Sequence, residues 1–323
     1  MKGGHHFASG ADTEVIAHLY EEFGASCFEH LRGMFAIAIW DARTGELFLA
    51  RDRLGKKPLL YAKDRDGGLA FASEARALFR PRGLLPEADL ASVNRVLAFG
   101  YANSPHSAYQ GVRRVHPGSY LRWKEGEFCE TTYWRSQVAP EEGMTRQEAE
   151  AGVRGLLEEA VRIRLVSERP LGVFLSGGID SSIVAAIAAK HHDGPLSTFS
   201  VGFDDDAFNE APIARRVADW IGTDHHEAIL KPDPHELLSE LQSAYDEPFA
   251  DSSALPTLLV SRFARQHVVV ALTGDGGDEI FGGYERYRAL PLIQRLNPML
   301  RVLAPMSNAL RDSNARWNQR RVR

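Results

Sequence analysis

The stretch that most constrains this chain is Gly172-Val173-Phe174-Leu175-Ser176-Gly177-Gly178-Ile179-Asp180-Ser181-Ser182. An apolar run ends at a serine and two glycines. A helical pattern starts at once, with Ile183, Val184 and Ile187 set among alanines. That order predicts a strand, a tight loop and a helix. Glycines let the backbone approach a bulky anion, the first free N–H groups of the helix face it, and the two hydroxyls add donors. The loop reads as a phosphate site. It is not a Walker A loop, since no Lys follows the glycines, and it lacks the G-x-G-x-x-G of a dinucleotide site. Asp180 would repel a bare polyphosphate but suits a magnesium ion that bridges phosphates.

A second segment repeats the design. Val268-Val269-Val270-Ala271-Leu272 is an apolar strand, and Thr273-Gly274-Asp275-Gly276-Gly277-Asp278-Glu279 follows it. Alone, such an acidic, glycine-rich loop could be a solvated turn; beside the first loop it reads as a second part of a magnesium-phosphate site. Between the two, strands at Leu196–Phe203 and His225–Leu230 alternate with a helix at Asn209–Ile221. Strand–helix alternation predicts a doubly wound parallel sheet, whose ligands sit beyond the carboxyl ends of the strands. A long amphipathic helix from Thr145 to about Val166 precedes this half.

The first half has another texture. A helix opens at Asp12-Thr13-Glu14 and stops at Gly24, with Asp12 most simply its N-cap. Strands Met34–Trp40 and Leu47–Ala50 flank a glycine-containing turn. Arg51 to Tyr61 form a shaped loop, Leu69–Ser73 a strand, Glu74–Phe79 and Leu90–Phe99 helices, and Ser119–Trp123 with Phe128–Tyr133 a hairpin. This predicts an α+β unit with antiparallel sheet. The polar run 136–144 marks the boundary, giving domains 1–138 and 145–323.

Composition closes off several classes. With 44% hydrophobic and 25% charged residues and a net charge of −5, the 323-residue chain is an ordinary globular one. Nothing calls for a nucleic-acid or membrane partner, and a reduced, cytoplasmic setting is expected. Cys27 and Cys129 lack metal spacing and are expected to be small buried residues. His191-His192 and His225-His226 are read as surface or sheet-edge residues, without a third ligand for zinc. The basic end, Arg311, Arg316, Arg320, Arg321 and Arg323, reads as a solvated or interrupted helix. Asp246-Glu247-Pro248-Phe249-Ala250-Asp251-Ser252-Ser253 reads as a turn and N-cap for a helix at Leu255–Gln266.

Resemblance adds to these readings. SGGIDSS resembles the pyrophosphate loop of the ATP pyrophosphatase superfamily. SGADTEVIAHLYEEFG, RGMFAIAIWDARTGELFLARDRLGKKPLLYA, GLAFASEARAL and TGDGGDEIFGGYERY resemble the glutamine-hydrolysing asparagine synthetases. The resemblance implies a partial N-terminal-nucleophile glutaminase sandwich followed by an ATP pyrophosphatase-type synthetase domain. It implies that Leu175, Val201, Thr273 and Gly274 contact the nucleotide. Ser176, Gly177, Gly178, Ser181 and Ser182 would cradle pyrophosphate, and Asp180 and Asp278 would bind Mg2+. Asp275 stands where many members carry Glu, at a position tied to acyl-adenylate formation, and Asp12 matches a glutamine-binding residue. The DEPFADSS segment resembles one near the acceptor pocket. The implied substrates are ATP, aspartate, and glutamine or ammonia, and the implied assembly a homodimer. A related enzyme with another carboxylate acceptor, or a non-catalytic ATP-binding fragment, stays open. Met1 is followed by Lys2 and not by the family's nucleophilic cysteine, and the Asn-Gly-Glu segment and a later lysine have no counterpart. The chain is therefore expected to lack both ends of the family pattern, and the glutaminase step with them.

Overall fold

The computed structural model describes residues 4–63, 68–79, 86–203, 209–230, 234–287 and 289–297. The basic end from Arg311 onward lies outside these residues. The chain forms two compact units: 1–143 together with 232–255, and 144–231 together with 256–323. The return of 232–255 to the first unit is not visible in a linear division of the sequence.

In the first unit, helix α1 (Glu14–Phe23) runs into a 3-10 turn (Gly24–His30). Strands β1 (Ala36–Asp41) and β2 (Glu46–Arg51) follow, then β3 (Leu60–Lys63), β4 (Leu69–Ala72), helices α2 (Ala75–Phe79) and α3 (Leu90–Phe99), and strands β5 (Val112–Arg114), β6 (Ser119–Lys124) and β7 (Glu127–Thr132). They build two antiparallel sheets, β1-β2-β6-β7 and β4-β3-β5. Phe28, Leu49, Val115 and Leu121 are fully buried in this unit. The loop Arg51–Tyr61 owes its shape to two buried charges. Asp52 accepts the N–H groups of Lys56 and Lys57, both at 2.9 Å. Arg51 donates to the carbonyls of Lys57, Val115 and Gly55 at 2.7–2.9 Å. Three carbonyls take the place of water around that guanidinium, which is how a charge survives burial; burial still lowers its pKa.

Two expectations need correction here. Asp12 is not the N-cap of α1: Thr13 holds that place without a side-chain bond. Instead Glu14 ties the preceding loop back, accepting the N–H groups of Ala8 at 2.6 Å and Ser9 at 2.7 Å. Cys129 is exposed rather than buried. It lies on β7, an edge strand, where Phe128 points inward and its neighbours outward. His225 is on an edge strand as read, but its ring is turned in rather than out, as described below.

The second unit opens on α4 (Arg146–Arg162), started by a capping box in which Thr145 and Glu148 satisfy each other's backbone N–H groups. Strand β8 (Leu171–Phe174), helix α5 (Ile179–His191), β9 (Ser197–Phe203), α6 (Ala211–Ile221) and β10 (Asp224–Leu230) follow. Helix α7 (Pro234–Ala244) belongs to the segment that returns to the first unit. Then come α8 (Ala254–Ala264), β11 (Val270–Leu272) and the short α9 (Gly277–Phe281). The sheet has the order β10-β9-β8-β11, parallel throughout. Its core joins Val173, Leu175, Ala185, Ala188, Leu196 and Ala214. On the edge strand β10, His225 lies between Thr198 Oγ1 at 2.9 Å and Ser200 Oγ at 3.2 Å, and burial lowers its pKa. His226 stacks on Phe199 with ring centroids 5.1 Å apart.

Candidate nucleotide site

Strand order decides where the site lies. From β8 the chain steps by α5 to β9 and by α6 to β10, all in one direction across the sheet; β11 lies on the other side of β8. The order therefore reverses between β8 and β11, and a crevice opens at their carboxyl ends. Both glycine-rich loops leave their strands at that place, Leu175–Gly178 after β8 and Thr273–Gly276 after β11.

The first loop is held by its own hydroxyls. The Ser176 and Ser181 hydroxyls pair at 2.9 Å, and the Ser176 N–H donates to Ser181 Oγ at 3.2 Å. Ser176 Oγ accepts the Gly178 N–H at 3.2 Å, and Ser182 Oγ donates to the Gly178 carbonyl at 2.7 Å. These hydroxyls thus build the turn rather than stand free, and the unspent donors are the backbone N–H groups at the start of α5, which have no partner within the helix. Gly177 has φ +82°, and a Cβ there would come within 2.9 Å of Ile213. Glycine is required on both counts.

The second loop lies against the first. A Cβ on Gly274 would stand 2.6 Å from the Ser181 nitrogen, and one on Gly277 would enter the Asp180 carboxylate. The two glycines are what let the loops touch. Asp180 thus faces the start of α9, one residue before Asp278. The Asp278 side chain itself turns towards Gly283, where a Cβ would meet it. Asp275 accepts the Thr273 hydroxyl at 2.8 Å. Val201 is half-buried on β9, beside the apolar group of Phe199, Val260 and Val268. Leu175 is buried, and its N–H extends the β8–β9 ladder to the Phe199 carbonyl at 2.9 Å. The structure thus brings Ser176, Gly177, Gly178, Asp180, Ser181, Gly274 and Gly277 together. The donor side chains on the two loops are all oxygen, which suits a hard divalent cation.

Profiles of two families match the chain: asparagine synthase over residues 152–323, and a glutamine amidotransferase domain over residues 1–134. The first covers more than half of the chain. The chain belongs to the asparagine synthetase family. "Asparagine synthetase (glutamine-hydrolyzing) 1" of Bacillus subtilis is 34% identical over 314 residues, 95% of this chain and 48% of its own. A Methanocaldococcus jannaschii protein is 36% identical over 316 residues, 95% of this chain and 61% of its own. "Amidase chyE" of Penicillium rubens is 35% identical over 305 residues, 88% of this chain and 44% of its own. The chain spans about half the length of the curated relatives it matches.

The remaining sequence-derived residues of this asparagine synthetase relative lie in the first unit. Asp12 lines an open cavity of about 600 Å³ with Thr13, Arg32, Gly33, Phe35 and Lys57. Cys27 is fully buried, and burial pushes its thiol up to about 11, so it is no nucleophile. Asp246 and Glu247, read from the sequence as turn or acceptor-pocket residues, are spent on ion pairs. The Arg76 guanidinium sits 2.7 Å from Asp246. Glu247 takes the Arg114 guanidinium and the Ser107 hydroxyl, and the Ala108 N–H at 2.8 Å. The turn reading describes Asp251, whose carboxylate accepts the N–H and hydroxyl of Ser253, each at 2.8 Å. Reasoning from sequence missed Arg76, Arg114 and α7. No local pattern joins residues some 130 to 170 positions apart.

Among the described residues no helix is long and apolar enough to cross a membrane.

Proposed function

We propose that this chain carries the nucleotide-activating part of an ATP-dependent amide ligase, an asparagine synthase of the glutamine-hydrolysing type. The single observation behind this is the meeting of two glycine-rich loops where the parallel sheet reverses its order. In this reading a carboxylate oxygen of the aspartate side chain attacks the α-phosphate of ATP. The bond to the β-phosphate breaks, and pyrophosphate leaves with the electron pair. The resulting acyl-adenylate is attacked by ammonia, derived from glutamine, to release AMP, asparagine and a proton.

The chain's own groups act on charge and position. N–H groups at the start of α5, with Ser176, Gly177, Gly178, Ser181 and Ser182, hold the departing pyrophosphate, where aimed dipoles count most. Leu175, Val201, Thr273 and Gly274 form the nucleoside side of the crevice. Asp180 and Asp278 would hold Mg2+. That ion, when bound, neutralises charge on the phosphates. Asp275 is assigned to the adenylation step, and Asp12 to binding glutamine in its cavity.

A second reading keeps the same chemistry on another carboxylate. The test is release of AMP and pyrophosphate from Mg-ATP in the presence of ammonium chloride, with aspartate and with other carboxylates. Turnover that needs aspartate and is lost in Asp180→Asn supports the proposal. Turnover with another acid alone moves it to the second reading. Mg-ATP bound without AMP formation leaves a nucleotide-binding chain and ends the ligase reading.

A further inference from the structure

Helix α1 carries Glu14, His18, Glu21 and Glu22, at spacings that place them on one face. The loop before the helix folds back through the bonds from Ala8 and Ser9 to Glu14 and brings His5 to the same face. The His5 and His18 rings lie 4.8 Å apart, and Phe7 covers His18 edge-on at 4.8 Å. One nitrogen of each histidine and one oxygen of Glu21 all fall within 4.8 Å of one another.

Hydrogen bonding does not account for this arrangement. Both ring nitrogens of His18 are shut off from solvent, and neither has a hydrogen-bond partner. The closest acids stand too far away: Glu21 3.8 Å from Nδ1 and Glu14 3.6 Å from Nε2. Glu22 is 3.7 Å from His5 Nε2. Leaving a buried polar group unpaired is unfavourable. The 3.8 Å between Glu21 and His18 Nδ1 is instead close to the separation of two ligands on one metal ion. Donors at zinc bond lengths of about 2.0–2.1 Å in a tetrahedron stand about 3.4 Å apart.

We propose that His5, His18 and Glu21 form a binding site for a borderline divalent transition metal of the Zn2+ class. His18 binds through Nδ1, and its Nε2–H then turns to the Glu14 carboxylate. That gives the ring the carboxylate partner that metal-bound histidines usually have. The fourth position is taken by water or by Glu22. Two imidazoles with one carboxylate suit Zn2+, Co2+ or Ni2+ and not Mg2+ or Ca2+, which take oxygen ligands. The site is in the first unit and independent of the nucleotide loops.

The test is calorimetric titration of untagged protein with Zn2+, together with the visible absorption of the Co2+ form. The expected result is one ion per chain, with tetrahedral Co2+ bands. Affinity should fall at least tenfold in Glu21→Gln and in His5→Ala, two exposed or loop substitutions that spare the core, and in His18→Gln. His192→Ala, on the surface of the other unit, should bind as wild type. Equal affinity in wild type and Glu21→Gln, or an equal loss in His192→Ala, overturns the proposal.

Discussion

The acid-rich segments Asp246–Ser253 and Thr273–Glu279 look alike in sequence, yet the fold uses them in opposite ways. In the first, Glu247 and Asp246 are closed off: every strong donor near them is protein, from Arg114, Arg76, Ser107 and Ala108. In the second, the acids stand on a loop whose glycines bring it onto the start of α5. The first segment's carboxylates hold polypeptide together. The second's bond hydroxyls on their own stretch of chain, Asp275 that of Thr273 and Glu279 that of Tyr284, each at 2.8 Å. Type of residue does not separate the two; the presence of arginine at hydrogen-bond distance does.

The largest effect should come from breaking the closed segment. Glu247→Ala leaves Arg114 half-buried without its acid, and burial already lowers the pKa of that arginine. Removing one partner of a buried pair costs about 3–5 kcal/mol. Chemical denaturation should show a loss near the lower figure, since Arg114 keeps its bonds to the Ala102 and His106 carbonyls. Asp180→Ala, at the start of α5 against which the second segment lies, should change stability by less than about 0.5 kcal/mol while abolishing Mg-ATP binding. A stability loss in Asp180→Ala comparable to that in Glu247→Ala would erase the distinction.

Gly274→Ala sharpens it from the other side. The added methyl group must push the two loops apart, so nucleotide affinity should fall at least tenfold, about 1.4 kcal/mol. The unfolding midpoint should move less than in Glu247→Ala. Isothermal titration beside a denaturation curve checks both.

A smaller effect concerns pH. Burial depresses the folded pKa of His225, so the folded state prefers the neutral ring. Its contribution is full above the unfolded value of about 6.5 and is lost as pH falls from there through the folded pKa. Stability of wild type should decline across that window. In His225→Asn the decline should be shallower, as read by thermal unfolding between about pH 7.5 and 5.

The smallest contrast is between the thiols. Cys129 is exposed and Cys27 is not. Thiol titration of the native protein should count one reactive group and of the unfolded protein two. Modification of Cys27 in the native state would contradict its burial.

Much of the fold was legible because it is written locally. The apolar run ending at Ser176, Gly177 and Gly178 predicted β8, the loop and α5. The switch of period from two to helical predicted the alternation through β9, α6 and β10. The capping box at Thr145 and Glu148 started α4 where expected. What failed did so where a neighbour in space overruled a neighbour in sequence. Asp12 looked like a cap and instead faces a cavity. Cys129 looked like a core residue, but its strand lies at a sheet edge with one face to solvent. The histidines of β10 were read as surface or sheet-edge residues and do lie on an edge strand, but hydroxyls on β9 and the rings of Phe199 and His267 take them in.

The sequence by itself determined the two loop motifs, the parallel character of the second half and the antiparallel character of the first, because each depends on residues within one turn or one strand of one another. Only the tertiary structure decided that the loops after β8 and β11 touch, that 232–255 packs with the first unit, and that His5 meets His18. Those facts depend on strand order and on contacts between distant residues. Their physical causes are the absence of a Cβ at Gly274 and Gly277, the reach of Arg76 and Arg114, and the loop tied back by Glu14, none of which a local pattern encodes.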